Sequence, residues 1–158
     1  MLRKTKPPEI LSATGLRFGI AAARYNGELA DALLANCLDA LAKAGAEPRD
    51  ITVLRVPGAL ELPIASRALV EAGCDAVVAI GTIVRGDTDH YEIVVRESTA
   101  GIARVALDSG IPVANAILAV NEFGHAVERA GAGPANKGFE AAEAAVSTAV
   151  ALRGLRAS

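Results

Sequence analysis

A chain of 158 residues that is 52% hydrophobic and 22% charged can bury one compact core and is too apolar to be intrinsically disordered. Its 16 basic and 18 acidic residues give a formal net charge of -2, which argues against a broad cationic surface for nucleic acid. The two cysteines, Cys37 and Cys74, lack the spacing of a zinc site and are too few for a disulfide scaffold, so we expect buried free thiols.

The first 14 residues contain two adjacent prolines and have mixed polarity, which predicts an extended arm instead of a core element. The start of this arm is basic but lacks the apolar segment of a secretion signal. No later apolar run is long enough to cross a bilayer. We therefore expect one cytoplasmic domain over residues 1–158, with residues 1–14 as the arm and no membrane partner.

Four short apolar runs follow the arm, and each is continuous enough for a strand that is covered on both faces. They predict parallel strands at 17–23, 51–56, 75–81 and 111–118. Helical segments separate the runs, so strand and helix alternate along the chain. Right-handed crossovers then give a doubly wound α/β sheet with helices on both faces.

The first predicted helix is amphipathic. Apolar residues repeat every four positions along one stripe, at Leu29, Leu33, Cys37 and Leu41. Gly45 is expected to end this helix. Proline near a helix start and glycine near a helix end mark the later helices. These are predicted at about 63–73, 90–109, 121–130 and 136–152.

Chemically unusual residues cluster directly after three of the predicted strands. They lie at 24–26, 57–61 and 81–90. In doubly wound sheets, ligands bind beyond the carboxyl ends of the strands. The sequence therefore predicts a functional site at that edge of the sheet.

The segment GTIVRGDTDH at 81–90 contains glycines that permit tight turns, and either Thr88 or Asp89 can cap the helix that follows. Backbone amides at such a helix start can hold a phosphate. The carboxylates of Asp87 and Asp89 would oppose a phosphate unless they point away. An ordinary capped helix start is the alternative interpretation of this segment.

Three side chains near these loops have two interpretations each. His90 could move protons near neutral pH, or could be structural. Glu61 could accept hydrogen bonds from the hydroxyls of a polyol, or could favour the dipole of the second helix. Tyr25 could stack on a planar heterocycle, or could pack within its loop.

Arg129 and Lys137 flank a glycine-rich break at 131–135, far in sequence from the strand-end loops. Exposed charges on terminal helices are usually solvated, so chemistry alone would not select these two residues. The sequence contains no dinucleotide fingerprint, no phosphate-binding P-loop, no nucleophile elbow and no His/Cys cluster with metal-ligand spacing. We therefore expect neither a metal nor a cofactor.

Four ordered segments together resemble the lumazine synthase family over nearly the whole chain. They are ARYN (23–26), VPGALELP (56–63), GTIVRGDTDHYE (81–92) and ERAGAGPANKG (128–138). The resemblance implies a three-layer flavodoxin-like sandwich with a four-stranded parallel sheet, to which an N-terminal strand from a neighbouring subunit could be added. It also implies a homopentamer, with a sixty-subunit icosahedral shell as a larger form, and riboflavin synthase as a candidate partner.

The resemblance implies a role for each site residue. Tyr25, where relatives often have phenylalanine or tryptophan, would stack on a pyrimidine, and Glu61 would hold ribityl hydroxyls. The main-chain amides of Asp87 and Thr88 would bind phosphate, and His90 would transfer protons. Further substrate contacts are implied for Asn26, Ala59, Leu60, Thr82, Ile83, Val84 and Asn115.

The resemblance also assigns the two remote cations to the site. Arg129 would pair with the phosphate and Lys137 would belong to the same site, both from the adjacent subunit. A shared site would explain why these residues lie on terminal helices. The departures from the family pattern are Asn115, often aromatic in relatives, and Asp87 and Asp89, which replace smaller or neutral residues.

The implied activity is a transferase step of riboflavin biosynthesis. In it, 5-amino-6-(D-ribitylamino)uracil condenses with 3,4-dihydroxy-2-butanone 4-phosphate to give 6,7-dimethyl-8-ribityllumazine, phosphate and water. The alternatives are a non-catalytic ring or cage subunit, an archaeal-type riboflavin synthase and a flavin-binding module. No nucleic-acid partner is expected.

Overall fold

The computed structural model describes residues 12–157, which form a four-stranded parallel sheet between two layers of helices. The strands lie in the order β2-β1-β3-β4. They are β1 (Phe18–Ala23), β2 (Ile51–Val56), β3 (Ala76–Val84) and β4 (Val113–Val120). This order is that of a doubly wound, flavodoxin-like sheet, so the predicted fold class is confirmed.

Within residues 12–157, five α-helices connect and cover the strands. They are α1 (Gly27–Lys43), α2 (Leu62–Glu71), α3 (His90–Ser109), α4 (Phe123–Arg129) and α5 (Lys137–Ala157). Helices α1 and α5 pack together on one face of the sheet, α2 and α3 pack together on the other, and α4 packs against β4. In this part of the chain, no helix combines the length and the apolarity that a membrane crossing needs.

The central strand β1 is buried along its whole length because helices cover both faces of the sheet. Phe18 and Ile20 enter the core between the sheet and the layer of α1 and α5. Ala21 and Ala23, which alternate with them, enter the core beneath α2 and α3. Burial on both faces explains why the strands appear in the sequence as continuous apolar runs.

The structure moves the end of β3 and both ends of β4 relative to the predicted boundaries. β3 continues to Val84, so residues 82–84 end a strand instead of opening a loop. They pair with residues 118–120 of β4, and this ladder satisfies their backbone hydrogen bonds. The last helix also extends further than predicted, to Ala157, and α4 is shorter, ending at Arg129.

The predicted N-terminal arm, residues 1–14, lies mostly outside the described residues, as does any strand that it could add to a neighbouring sheet. Its described end is part of the fold. Ala13 is fully buried, and its amide donates a hydrogen bond of 2.8 Å to the carbonyl of Ala44. The packed domain therefore begins before the predicted end of the arm at residue 14, because it includes Ala13.

Cys37 and Cys74 are buried free thiols, as predicted. Burial raises the pKa of the Cys37 thiol to about 12. Burial also raises the pKa of the Cys74 thiol. Because the thiolate is the reactive form, neither cysteine is an activated nucleophile at neutral pH.

Asn136 anchors the start of α5. Its side chain is fully buried, and its Nδ2 donates a hydrogen bond of 2.9 Å to the carbonyl of Ala130. Its Oδ1 accepts hydrogen bonds from the amides of Gly138 and Phe139, at 2.8 and 3.2 Å. This side chain therefore caps α5 and ties that helix to the end of α4.

We expect Asn136→Ala to lower the free energy of unfolding by about 2–3 kcal/mol, because the cap is lost and the buried carbonyl of Ala130 is left without its donor. Thermal unfolding at one fixed protein concentration would measure the change as a lower Tm. Asn136→Asp keeps the oxygen that caps the helix but puts a buried carboxylate oxygen against the carbonyl of Ala130, so it should not restore the wild-type stability. An alanine variant with the wild-type Tm would contradict the anchoring role.

Candidate active site

The loops that follow β1, β2 and β3 meet at the carboxyl edge of the sheet and enclose a cavity of about 350 Å³. This volume is typical of a pocket for a small ligand. The cavity brings together nine residues that the sequence analysis assigned to one site, plus three others. Its lining consists of Ala23, Tyr25, Asn26, Gly58, Ala59, Leu60, Glu61, Thr82, Ile83, Val84, His90 and Val94.

The loop after β1 is held to both neighbouring strands. The amide of Tyr25 donates a hydrogen bond of 3.0 Å to the carbonyl of Pro57, beyond the end of β2. Asn26 adopts a left-handed conformation with φ 57°, and its Nδ2 donates a hydrogen bond of 2.9 Å to the carbonyl of Thr82 in β3. The Tyr25 ring is 68% exposed, so it forms a wall of the cavity and does not pack inside the loop.

A short 3₁₀ turn, Ala59–Glu61, leads from β2 into α2 and carries Glu61 into the cavity wall. Oε2 of Glu61 accepts a hydrogen bond of 3.1 Å from the amide of Gly58. Glu61 directly precedes α2, where an acid favours the helix dipole, but its side chain makes no hydrogen bond that caps this helix. Its other oxygen, Oε1, accepts no hydrogen bond from the described residues and can accept one from a ligand hydroxyl.

His90 is the first residue of α3 and lines the cavity. The exposed turn at 86–89 precedes it, and the Oγ1 of Thr88 accepts a hydrogen bond of 3.4 Å from the His90 amide. Asp89 makes no side-chain cap, so of the two capping candidates only Thr88 forms a side-chain hydrogen bond with the helix start. The amides of Asp87 and Thr88 donate to no acceptor among residues 12–157, which leaves them free to donate to an anion.

Arg85, which the sequence analysis did not select, fixes this turn relative to the sheet. Its amide donates a hydrogen bond of 3.0 Å to the carbonyl of Val120, and its Nε donates one of 2.9 Å to Oδ1 of Asn121. Its guanidinium lies 4.6 Å from the centroid of the Tyr91 ring and 3.4 Å from Oε1 of Glu92. Arg85 thereby joins the end of β3 to the end of β4 and to the first turn of α3.

Asn115 does not line this cavity within one protomer. It lies in β4 opposite Ala79, three residues before the pairing of Leu118 with Thr82 at the cavity edge. Its side chain is exposed, and its Oδ1 accepts a hydrogen bond of 2.8 Å from the amide of Ile117. Any contact of Asn115 with a ligand in the strand-end cavity therefore requires a different copy of the chain.

Arg129 and Lys137 also lie outside the cavity lining of their own protomer. Arg129 is exposed at the end of α4 and forms no ion pair with the residues at 12–157. Lys137 opens α5, with its Nζ 3.9 Å from Oε1 of Glu140. One protomer therefore supplies the aromatic ring, the carboxylate and the imidazole of the predicted site but not its two cations.

A groove of about 620 Å³ between α2 and α3 has fewer unpaired polar groups for a ligand than the strand-end cavity. Its charged residues pair within their own helices, Arg67 with Glu71 and Arg104 with Asp108. Neither pair leaves an unmatched charge for a ligand. The cavity at the carboxyl edge of the sheet is therefore the candidate active site.

Comparisons with known proteins agree on one family. A family model described as 6,7-dimethyl-8-ribityllumazine synthase matches residues 15–153. A protein of that name from Syntrophus aciditrophicus (strain SB) is 44% identical over 144 residues, which are 90% of this chain and 94% of the relative. One from Leifsonia xyli subsp. xyli (strain CTCB07) is 46% identical over 150 residues, covering 94% and 93%. One from Nitratidesulfovibrio vulgaris (strain DSM 19637 / Miyazaki F) is 42% identical over 137 residues, covering 86% and 88%.

Proposed function

The chain belongs to the 6,7-dimethyl-8-ribityllumazine synthase family, and on that premise we propose that its strand-end cavity is where the family's condensation takes place. The protein is a transferase of riboflavin biosynthesis. The proposed substrates are 5-amino-6-(D-ribitylamino)uracil and 3,4-dihydroxy-2-butanone 4-phosphate. The observation that supports this most directly is that Tyr25, Glu61 and His90, from three separate segments of the chain, line one cavity.

The pyrimidine substrate would lie between the loops after β1 and β2. The exposed ring of Tyr25 offers a flat surface for stacking, and Glu61 offers a free carboxylate oxygen to the ribityl hydroxyls. Backbone groups of the turn at 59–61 and the end of β3 at 82–84 would border the ring. This arrangement would bind a ligand in which a planar ring is joined to a polyol chain.

The phosphate of the second substrate would bind at the turn at 86–89, next to His90. The free amides of Asp87 and Thr88 and the start of the long helix α3 favour an anion there. The carboxylates of Asp87 and Asp89 lie on exposed residues and can turn towards solvent. Arg129 and Lys137 of an adjacent subunit would supply the positive charge that this protomer lacks.

The proposed reaction begins when the 5-amino group attacks the ketone carbon, forming a C–N bond that becomes an imine as water leaves. Phosphate then departs by elimination and leaves an enol, which tautomerises to a carbonyl. The ribitylamino nitrogen attacks this carbonyl carbon and closes the second ring as a second water leaves. Much of the acceleration would come from holding two reactants in one cavity, because the amine is already nucleophilic and phosphate is a competent leaving group. His90 would accept the proton released by the amine and return a proton to the departing oxygen.

A shared site requires at least two copies of the chain, and we propose the homopentamer that the family resemblance implies, with a sixty-subunit shell as its larger form. Phe123 and Val127 support such an interface, because these apolar side chains are 54% and 49% exposed on α4, the helix that ends at Arg129. Riboflavin synthase, which consumes the lumazine, is the proposed partner of the shell.

The proposed compartment is the cytoplasm. Both cysteines are unpaired, which is usual for proteins of a reducing compartment.

The test of function is to mix the purified protein with both substrates and to follow the absorbance of the lumazine product. Formation of lumazine supports the proposal. Riboflavin formed from added lumazine would indicate a riboflavin synthase instead, no product would indicate a non-catalytic subunit, and a yellow protein with stoichiometric flavin would indicate a flavin-binding module.

A further inference from the structure

Gly58 lies directly against the ring of Tyr25. A Cβ added at Gly58 would lie 2.7 Å from Cδ2 and 2.8 Å from Cε2 of that ring, closer than real carbon atoms approach without a shift. The backbone of Gly58 is extended, with φ -145° and ψ -175°, a conformation open to any residue. The need for glycine therefore comes from the contact with the ring and not from the backbone.

Gly58 also holds the carboxylate of Glu61, which lines the same cavity. The Gly58 amide donates to Oε2 of Glu61 at 3.1 Å. A Cβ at Gly58 would lie 3.4 Å from that oxygen, an ordinary contact that leaves the hydrogen bond in place. An added methyl group would thus displace the ring of Tyr25 while leaving Glu61 where it is.

We propose that Gly58 is a positioning residue that sets the distance between the Tyr25 ring and the Glu61 carboxylate, and so fits the cavity to a ligand with a planar ring joined to a polyol. This inference rests on the proposed function. The ring is 68% exposed, so it can swing away from a methyl group at little cost to the fold. The methyl group would instead move the stacking surface of the Tyr25 ring relative to the Glu61 carboxylate.

Gly58→Ala is expected to raise the KM for the ribitylaminopyrimidine by about tenfold, the size expected when part of an aromatic stack on a base-like ring is lost. The KM for the butanone phosphate and the Tm should change little. Gly27→Ala is the matched control, because Gly27 lies at the same edge of the sheet and a Cβ there meets no atom within 4 Å. Its KM for the pyrimidine should equal that of the wild type.

A double-variant cycle separates a role through Tyr25 from a general structural role. Tyr25→Ala removes the ring, so adding Gly58→Ala to it should raise the pyrimidine KM no further. If the single Gly58→Ala variant fails to fold, the double variant should still fold like Tyr25→Ala, because the clash is gone. An unchanged KM in Gly58→Ala, or the same tenfold increase in the Tyr25→Ala background, would overturn the inference. A wild-type protein that makes no lumazine would overturn the proposed function instead.

Discussion

Replacing His90 with alanine is expected to lower kcat by about 10²- to 10⁴-fold, the usual contribution of general acid–base catalysis by one side chain. The imidazole lines the cavity beside the turn at 86–89, where the second substrate would bind with its carbonyl and its phosphate. Its removal leaves both binding surfaces intact, so neither KM should change by more than a few fold. Activity should fall without disappearing, because holding two reactants together still accelerates their reaction.

Steady-state kinetics with both substrates varied would measure this effect. His125→Ala is the matched control, since the chain has two histidines and His125 is exposed on α4, outside the cavity lining. The control should keep the wild-type kcat. A His90→Ala enzyme with wild-type kcat would show that solvent or another group moves the protons.

Arg129→Ala is expected to raise the KM for the butanone phosphate by about 10²-fold while leaving the KM for the pyrimidine nearly unchanged. A guanidinium binds phosphate through paired, charge-assisted hydrogen bonds, which are among the stronger polar contacts in proteins. Arg129 is exposed and has no ion-pair partner within residues 12–157, so its removal should not disturb the protomer fold. Arg129→Lys keeps the charge but loses the planar fork, and should give an intermediate KM.

The control for this variant is Arg49→Ala. Arg49 is exposed in the short 3₁₀ turn before β2, at the amino edge of the sheet, opposite the cavity. Its kinetics should match those of the wild type. If Arg129→Ala also keeps the wild-type KM for the phosphate substrate, then Arg129 does not bind the phosphate and another cation must be sought.

Most of the fold could be predicted from the sequence because its strands are buried on both faces. That burial produces continuous apolar runs, and the glycines and prolines between them mark helix ends. Gly110, for example, ends α3 at the predicted residue in a left-handed conformation with φ 72°. The end of β3 was predicted too early, since the ladder with β4 that carries it to Val84 depends on a partner more than thirty residues away.

The position of the candidate site could be predicted because parallel strands bring their carboxyl ends to one edge. Tyr25, Glu61 and His90 are far apart in sequence and still line one cavity. Gly58 and Arg85 were not predicted, because their roles come from contacts that no local pattern encodes: Gly58 with the ring of Tyr25, and Arg85 with Asn121. Arg129 and Lys137 do not line the cavity of their own protomer, so their proposed role depends on a second copy of the chain.

The central claim is that each active site joins the His90 of one subunit to the Arg129 of its neighbour. It can be tested by co-expressing His90→Ala and Arg129→Ala chains in equal amounts and isolating mixed oligomers through two different affinity tags. Random mixing pairs an intact His90 with a neighbour's intact Arg129 at one interface in four, so about one quarter of the wild-type activity is predicted when the butanone phosphate is kept well below its wild-type KM. Activity no higher than that of the two variants measured separately would contradict a shared site.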